Sequence, residues 1–182
     1  MRKLTYLIIF LSLLSWFNPA TVYANLPDPP VIDGEACIVM DTLTGKVLYE
    51  KNSHKILEPA STTKIMTSIL ALELGVLEDI VVTSSEPPRA AGTRIYLEEE
   101  EELTLEDLLY GMMLNSGNDA AIAIAEHISG DVERFVALMN QKAREIGAFN
   151  TKFVNPNGLV DEGHVTTAHD LALITRYAMT NL

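Results

Sequence analysis

Pro59 fixes where the central helix of this chain can begin. Proline has no N–H to give and disfavours helix at the residue before it, so no helix can run back through Glu58-Pro59. Downstream, Ile65, Met66, Ile69, Leu70 and Leu72 recur at helical spacing, and Gly75 supplies a stop. That pattern predicts a mostly buried helix with Ser61 in its first turn. Lys64 lies three residues on, one turn away on the same face.

A hydroxyl and an amine so placed can act as nucleophile and base. Serine attacks poorly until a neighbour takes its proton. Free lysine titrates near ~10.4 and is a poor base at neutral pH. Burial, a nearby cation and the positive end of a helix dipole all lower that value. A helix start also presents unpaired N–H groups to a developing oxyanion. Alone, the pair is a weak signal. With 9 Ser and 7 Lys among 182 residues, a Ser-x-x-Lys arises by chance in roughly one chain in three. Serine at a helix start is also commonly just a cap.

Residues 1–24 read as a secretory signal peptide. Arg2 and Lys3 give the positive start, Leu4 to Phe17 the apolar run, Pro19 its break, and Val22-Tyr23-Ala24 a small-residue cleavage site. The run falls short of the roughly 20 residues of a membrane span. The protein is therefore expected outside the cytoplasm, in the cell envelope or periplasm. Residues 25–182 are sized for one domain or part of one. The formal net charge is −12, and more acidic still once Arg2 and Lys3 leave. This argues against nucleic acid as a partner and against adhesion to anionic membranes. One cysteine, Cys37, excludes an internal disulfide; its apolar surroundings predict a buried small residue.

Ala36–Met40 and Val47–Glu50, joined by the Asp41–Lys46 turn, predict a hairpin. Gly45-Lys46 lacks the upstream glycine of a phosphate loop. Leu77–Thr83 reads as a short strand and Ile95-Tyr96-Leu97 as strand-like. Glu98–Glu102 reads as a solvated acidic turn rather than a metal site. Thr104 with Asp107 opens a helix through Leu114. A second helix runs from Asp119 to Ser129, small and apolar nearly all round, which means burial. Asp131 caps a third, Val132 to Ile146, ended by Gly147. Asn155-Pro156-Asn157-Gly158 is turn chemistry, and Thr167 with Asp170 opens a last helix through Met179.

Between the first two of these helices lies Ser116-Gly117-Asn118. It is weak by itself, yet it places a hydroxyl and an amide on a tight turn between buried helices, a rigid place to present side chains. The histidines are His54, His127, His164 and His169. None forms His-Glu-x-x-His, and a zinc pair of His164 and His169 is disfavoured. A Ser-His-Asp site using Ser61 stays open, though no Gly-x-Ser-x-Gly elbow supports it. No metal or cofactor is expected.

Pro-Ala-Ser-Thr-Thr-Lys at 59–64 and Asn-Ser-Gly-Asn-Asp-Ala-Ala at 115–121 resemble the serine D-alanyl-D-alanine carboxypeptidases, the low-molecular-weight penicillin-binding proteins. Asn155–Leu159 and Thr166–Leu171 are similar to further stretches of that family, so the likeness covers residues 31 to 180. The resemblance implies a β-lactamase/DD-peptidase-like fold: an α/β domain, with helices on an antiparallel sheet, plus an all-α region. It implies that Ser61 attacks the bond between two D-alanines of a peptidoglycan stem peptide. Lys64 would be its general base, Ser116 the proton relay and Asn118 a substrate ligand. β-Lactams would acylate the same Ser61.

The family's third motif, Lys-Thr-Gly on a sheet strand, does not occur in these 182 residues. Residues 25–182 are therefore expected to be an incomplete DD-peptidase domain, its N-terminal part only: an antiparallel hairpin plus the helical region, with the later sheet strands missing and activity impaired. Alternatives are a β-lactamase or transpeptidase relative, and a non-catalytic envelope protein that binds peptidoglycan or a partner enzyme. The sequence carries no sign of oligomeric state.

Overall fold

A computed structural model describes residues 28–181; the leader read at residues 1–24 lies outside them. β1 (Cys37–Met40) and β2 (Val47–Lys51) form the expected antiparallel hairpin, with Ile38 opposite Glu50 and a bulge between Val39 and Met40. It remains two-stranded among the described residues, and its faces leave Val39 and Leu48 exposed. Cys37 is half-buried rather than buried, because a lone hairpin has only one covered face.

The chain then turns through a single 3₁₀ turn, Ala60–Thr63, into α1 (Lys64–Leu74). Ser61 thus precedes the α-helix instead of lying inside it, and Lys64 is the helix's first residue. β3 (Ile80–Val82) pairs antiparallel with β4 (Glu102–Thr104), Val81 facing Leu103. Ile95-Tyr96-Leu97 is not a strand. Tyr96 is left-handed at φ 66°, and the Ile95 and Leu97 N–H groups go to a side-chain carboxylate instead of a ladder.

α2 (Leu105–Asn115) starts where Thr104 accepts the Asp107 N–H at 3.0 Å, a cap worth about 1 kcal/mol. α3 (Asn118–Ser129) and α4 (Val132–Ile146) follow, closed by the left-handed glycines Gly130 and Gly147. α5 (Ala168–Asn181) lies against β1 and α1.

α1 carries the packing from Asp33 onward. One side joins Met66, Ile69 and Leu70 to Phe135, Met139, Phe153 and Ile174. The other brings Ala71 to Leu105, Leu108, Met112 and the alanines of α3. α3 is covered on all sides, as its small apolar composition requires. Alanine there lets α1, α2 and α4 approach closely, so α1 and α3 meet beneath the two turns that carry Ser61 and Ser116.

Candidate active site

The Ser61 turn is tightened before the helix begins. Pro59 is helical, Ala60 is left-handed at φ 48°, and the residue pair after Ser61 divides sharply: Thr62 is exposed, Thr63 fully buried. Ser61 itself faces solvent, while Lys64 is 2% exposed. The helical offset of three brings the Lys64 Nζ to 3.4 Å from the Ser61 Oγ. The amine also reaches the Asn118 Oδ1 at 2.7 Å and the Asn157 carbonyl at 2.6 Å. All three partners are neutral. Burial therefore dominates and lowers the Lys64 pKa to about 8.

Ser116 arrives from the other side. It closes α2 in the left-handed conformation, φ 57° and ψ 35°, and its Oγ lies 3.0 Å from the Ser61 Oγ. Asn118, two residues on, is the first residue of α3. Its Nδ2 donates to the Ala91 carbonyl at 2.8 Å and its N–H to the Thr93 carbonyl at 2.8 Å. With Nδ2 committed there, Oδ1 must face the lysine. Asp119, fully buried, accepts the Ile95 N–H at 3.0 Å and the Leu97 N–H at 3.1 Å. One carboxylate thereby fastens the 93–97 loop to the start of α3.

The structure brings Ser61, Lys64, Ser116 and Asn118 together. A basic amine beside one hydroxyl and a second hydroxyl beside the first form a chain along which a proton can pass. No histidine joins it among the described residues. His164 Nε2 bonds the Thr63 Oγ1 at 2.8 Å, His54 stacks on His169, and His127 pairs with Asp79. This leaves a Ser-His-Asp site without geometric support. No cluster of metal-ligating side chains occurs among the described residues.

Sequence reasoning missed three contributors. In the sequence the Asn157 carbonyl stands out only as part of a turn, Asp119 as a helix start inside the 115–121 stretch, and Thr63 as a member of the 59–64 stretch, none with a role of its own. The turn residues Asn155–Gly158 were the available signal. Asn155 Oδ1 takes the Gly158 N–H at 2.8 Å and Asn157 Oδ1 the Leu159 N–H at 3.0 Å, which shapes a turn with its carbonyl toward the lysine.

A family model described as D-alanyl-D-alanine carboxypeptidase, peptidase S11, matches residues 23–182. The D-alanyl-D-alanine carboxypeptidase DacF of Bacillus subtilis is 46% identical over 149 residues, covering 79% of this chain and 38% of that protein. DacC of Escherichia coli is 37% identical over 158 residues, covering 81% and 40%. Among solved structures, penicillin-binding protein 5 of Haemophilus influenzae matches with a TM-score of 0.80 at 33% identity, covering 86% of this chain and 48% of that one. A mutant of the Streptomyces K15 DD-transpeptidase matches with a TM-score of 0.80 at 30% identity, covering 84% and 64%. The chain thus has the DD-peptidase fold over the part it shares, and spans about two fifths of the curated relatives it matches.

Proposed function

Since the chain belongs to the peptidase S11 family of D-alanyl-D-alanine carboxypeptidases, we propose that it carries the acylating machinery of a serine carboxypeptidase acting on peptidoglycan stem peptides. Neutral Lys64 takes the Ser61 proton. The Ser61 Oγ attacks the carbonyl carbon between the two terminal D-alanines. Ser116 passes a proton to the departing amine and regains one from the Lys64 ammonium, the C–N bond breaks, and D-alanine leaves an acyl ester on Ser61 while Lys64 is neutral again. Water then attacks that ester as Lys64 takes its proton, and Lys64 returns that proton to the Ser61 oxygen as the ester bond breaks and the shortened peptide leaves. Asn118 holds Lys64 through Oδ1 and keeps one N–H for the substrate amide. The observation that carries this reading is the buried Lys64, with a pKa of about 8 and Nζ within reach of Ser61.

Penicillins, whose strained amide resembles the D-Ala-D-Ala bond, acylate Ser61 by the same route. The 182 residues hold no Lys-Thr-Gly, the motif to which the family likeness gives the carboxylate grip and the second oxyanion N–H. Removing one oxyanion donor costs about 10²–10³ in rate, so the chain by itself labels slowly. Residues 1–24 direct it out of the cytoplasm; no helix among the described residues is long and apolar enough to cross a membrane.

The experiment is intact mass after incubation with penicillin and with a stem pentapeptide. A single adduct on Ser61, absent from Ser61→Ala, with free D-alanine from the peptide, is expected. An adduct elsewhere, or none after prolonged exposure, overturns the proposal. A cross-linked product in place of free D-alanine would make it a transpeptidase.

A further inference from the structure

We propose that His164 is a positioning residue for the Ser61–Lys64 pair: its buried ring ties Thr63, which lies between them, to Val154, which opens the turn that offers Lys64 the Asn157 carbonyl. This rests on the roles proposed above for Ser61 and Lys64, but not on the chain's turnover.

The ring is 1% exposed and both its nitrogens are engaged. The Val154 N–H donates to Nδ1 at 3.0 Å, so Nδ1 carries no proton. The proton is therefore on Nε2 and points at the Thr63 Oγ1, 2.8 Å away. Phe153 meets the ring edge-on, with centroids 5.8 Å apart. The charged groups acting on the ring are Asp161 and Glu58, which both favour the imidazolium. Burial outweighs them and keeps the pKa below the usual histidine value, so the two-armed neutral tautomer persists at neutral pH.

Beyond Val154 the turn meets the catalytic helix residue by residue. The Pro156 carbonyl accepts from the Thr67 Oγ1 at 2.6 Å, and the Asn157 carbonyl accepts from the Lys64 Nζ at 2.6 Å. Gly158, left-handed at φ 87°, packs so closely that a Cβ there would fall on the Ala60 carbonyl oxygen. These contacts share one register, and the His164 ring is the spacer at its open end. Shifting the turn would both withdraw the carbonyl and let water reach Nζ. His164 touches no reacting atom; it acts through Thr63 and through the turn.

The test follows Lys64 directly by NMR titration of the chain selectively labelled with ¹⁵N-lysine. Lys64→Arg assigns the resonance. His164→Phe fills the space but loses both arms. His164→Asn keeps an acceptor at the place of Nδ1, and His164→Gln a donor at the place of Nε2. The lysine is expected to titrate near 8 in the unaltered chain. It should rise by roughly one unit in the Phe variant, and by less in the Asn and Gln variants, as water relieves the burial. Should the Phe variant fail to fold, the Asn and Gln variants carry the comparison. A Lys64 titration unmoved in every folded variant overturns the inference. Penicillin labelling of the unaltered chain is scored separately: its failure would count against the proposed function, while the titration still judges His164.

Discussion

Two turns carry the hydroxyls of the site, and they are held from different sides. The Ala60–Thr63 turn is gripped through the 154–158 turn, with the His164 ring, two backbone carbonyls and a close-packed glycine as the contacts. The Ser116–Asn118 turn is gripped through the 91–97 loop, and there the protein supplies side chains while the loop supplies backbone: the Asn118 amide and the Asp119 carboxylate meet its N–H and carbonyl groups. In the first case a buried amine donates to a loop carbonyl, that of Asn157; in the second a buried carboxylate accepts loop N–H groups. Each buried side chain meets the backbone pole that stabilises it. The difference lies in solvation. Asp119 takes three backbone N–H groups, and burial lowers the pKa of Lys64 despite its neutral partners. One turn is thus held by a buried carboxylate, and the other sets a buried amine of lowered pKa beside a hydroxyl.

The largest break in this contrast should come at Asp119. Asp119→Ala leaves the Ile95, Leu97 and Ala120 N–H groups without their acceptor and frees the 93–97 loop, at a cost of about 3–5 kcal/mol in denaturant unfolding. Penicillin labelling should slow with it, because Asn118 loses the frame that aims its Oδ1 at Lys64. Asp119→Asn keeps one acceptor and should lie between.

Gly158→Ala tests the other turn. The added methyl meets Ala60 backbone and the φ of 87° is unfavourable for alanine, so a loss of about 2–3 kcal/mol and slower labelling are expected. Equal labelling with equal melting temperature would show that the 154–158 turn does not need its close contact.

Lys64→Met separates reactivity from stability. The folded pKa of about 8 lies below the model-compound 10.5, so the unfolded chain binds more protons between those values. Stability of the unaltered chain should therefore rise as pH climbs from about 8 to 10.5, relative to the Met variant, by on the order of 3 kcal/mol. Parallel curves for the two proteins would remove burial as the cause. His164 gives an effect of the same sign in a lower window. Its folded pKa is lowered, so its contribution is complete above about 6.5 and falls away as pH drops below that value, a loss absent from His164→Gln.

The smallest expected effect is at Thr83, the residue after β3. Its backbone pairs with Glu100 and Glu101, but its buried hydroxyl has no partner. Thr83→Val should stabilise by about 1 kcal/mol and leave labelling unchanged.

Much of this was legible in the sequence, and the divide follows the range of the interaction. The 3.6-residue period placed the helices. The caps at Thr104 and Asp131 and the stops at Gly130 and Gly147 fall where the residue chemistry put them, because those contacts span at most a few residues. Ser61 and Lys64 were readable as a pair for the same reason. Ser116 and Asn118 stood out by their tight turn between two buried helices, and the family likeness supplied their roles. The strand expected at Ile95–Leu97 failed because β-branched and aromatic residues fit a pleated surface, while a carboxylate more than twenty residues away had already claimed two of the N–H groups. Asp119, His164 and the Asn157 carbonyl were not legible as bracing groups, since nothing local in a sequence says which backbone a buried polar side chain will meet.

The Thr63–His164 contact joins residues 101 positions apart, and the lysine's contacts with Asn118 and Asn157 span 54 and 93. Such closures carry the entropy of long loops and form late relative to the local helices. During folding, then, Ser61 can already stand on its turn while its base is still solvated and protonated. Acylation by a penicillin becomes a clock: it should lag behind helix formation and mark the moment the last long-range contact closes.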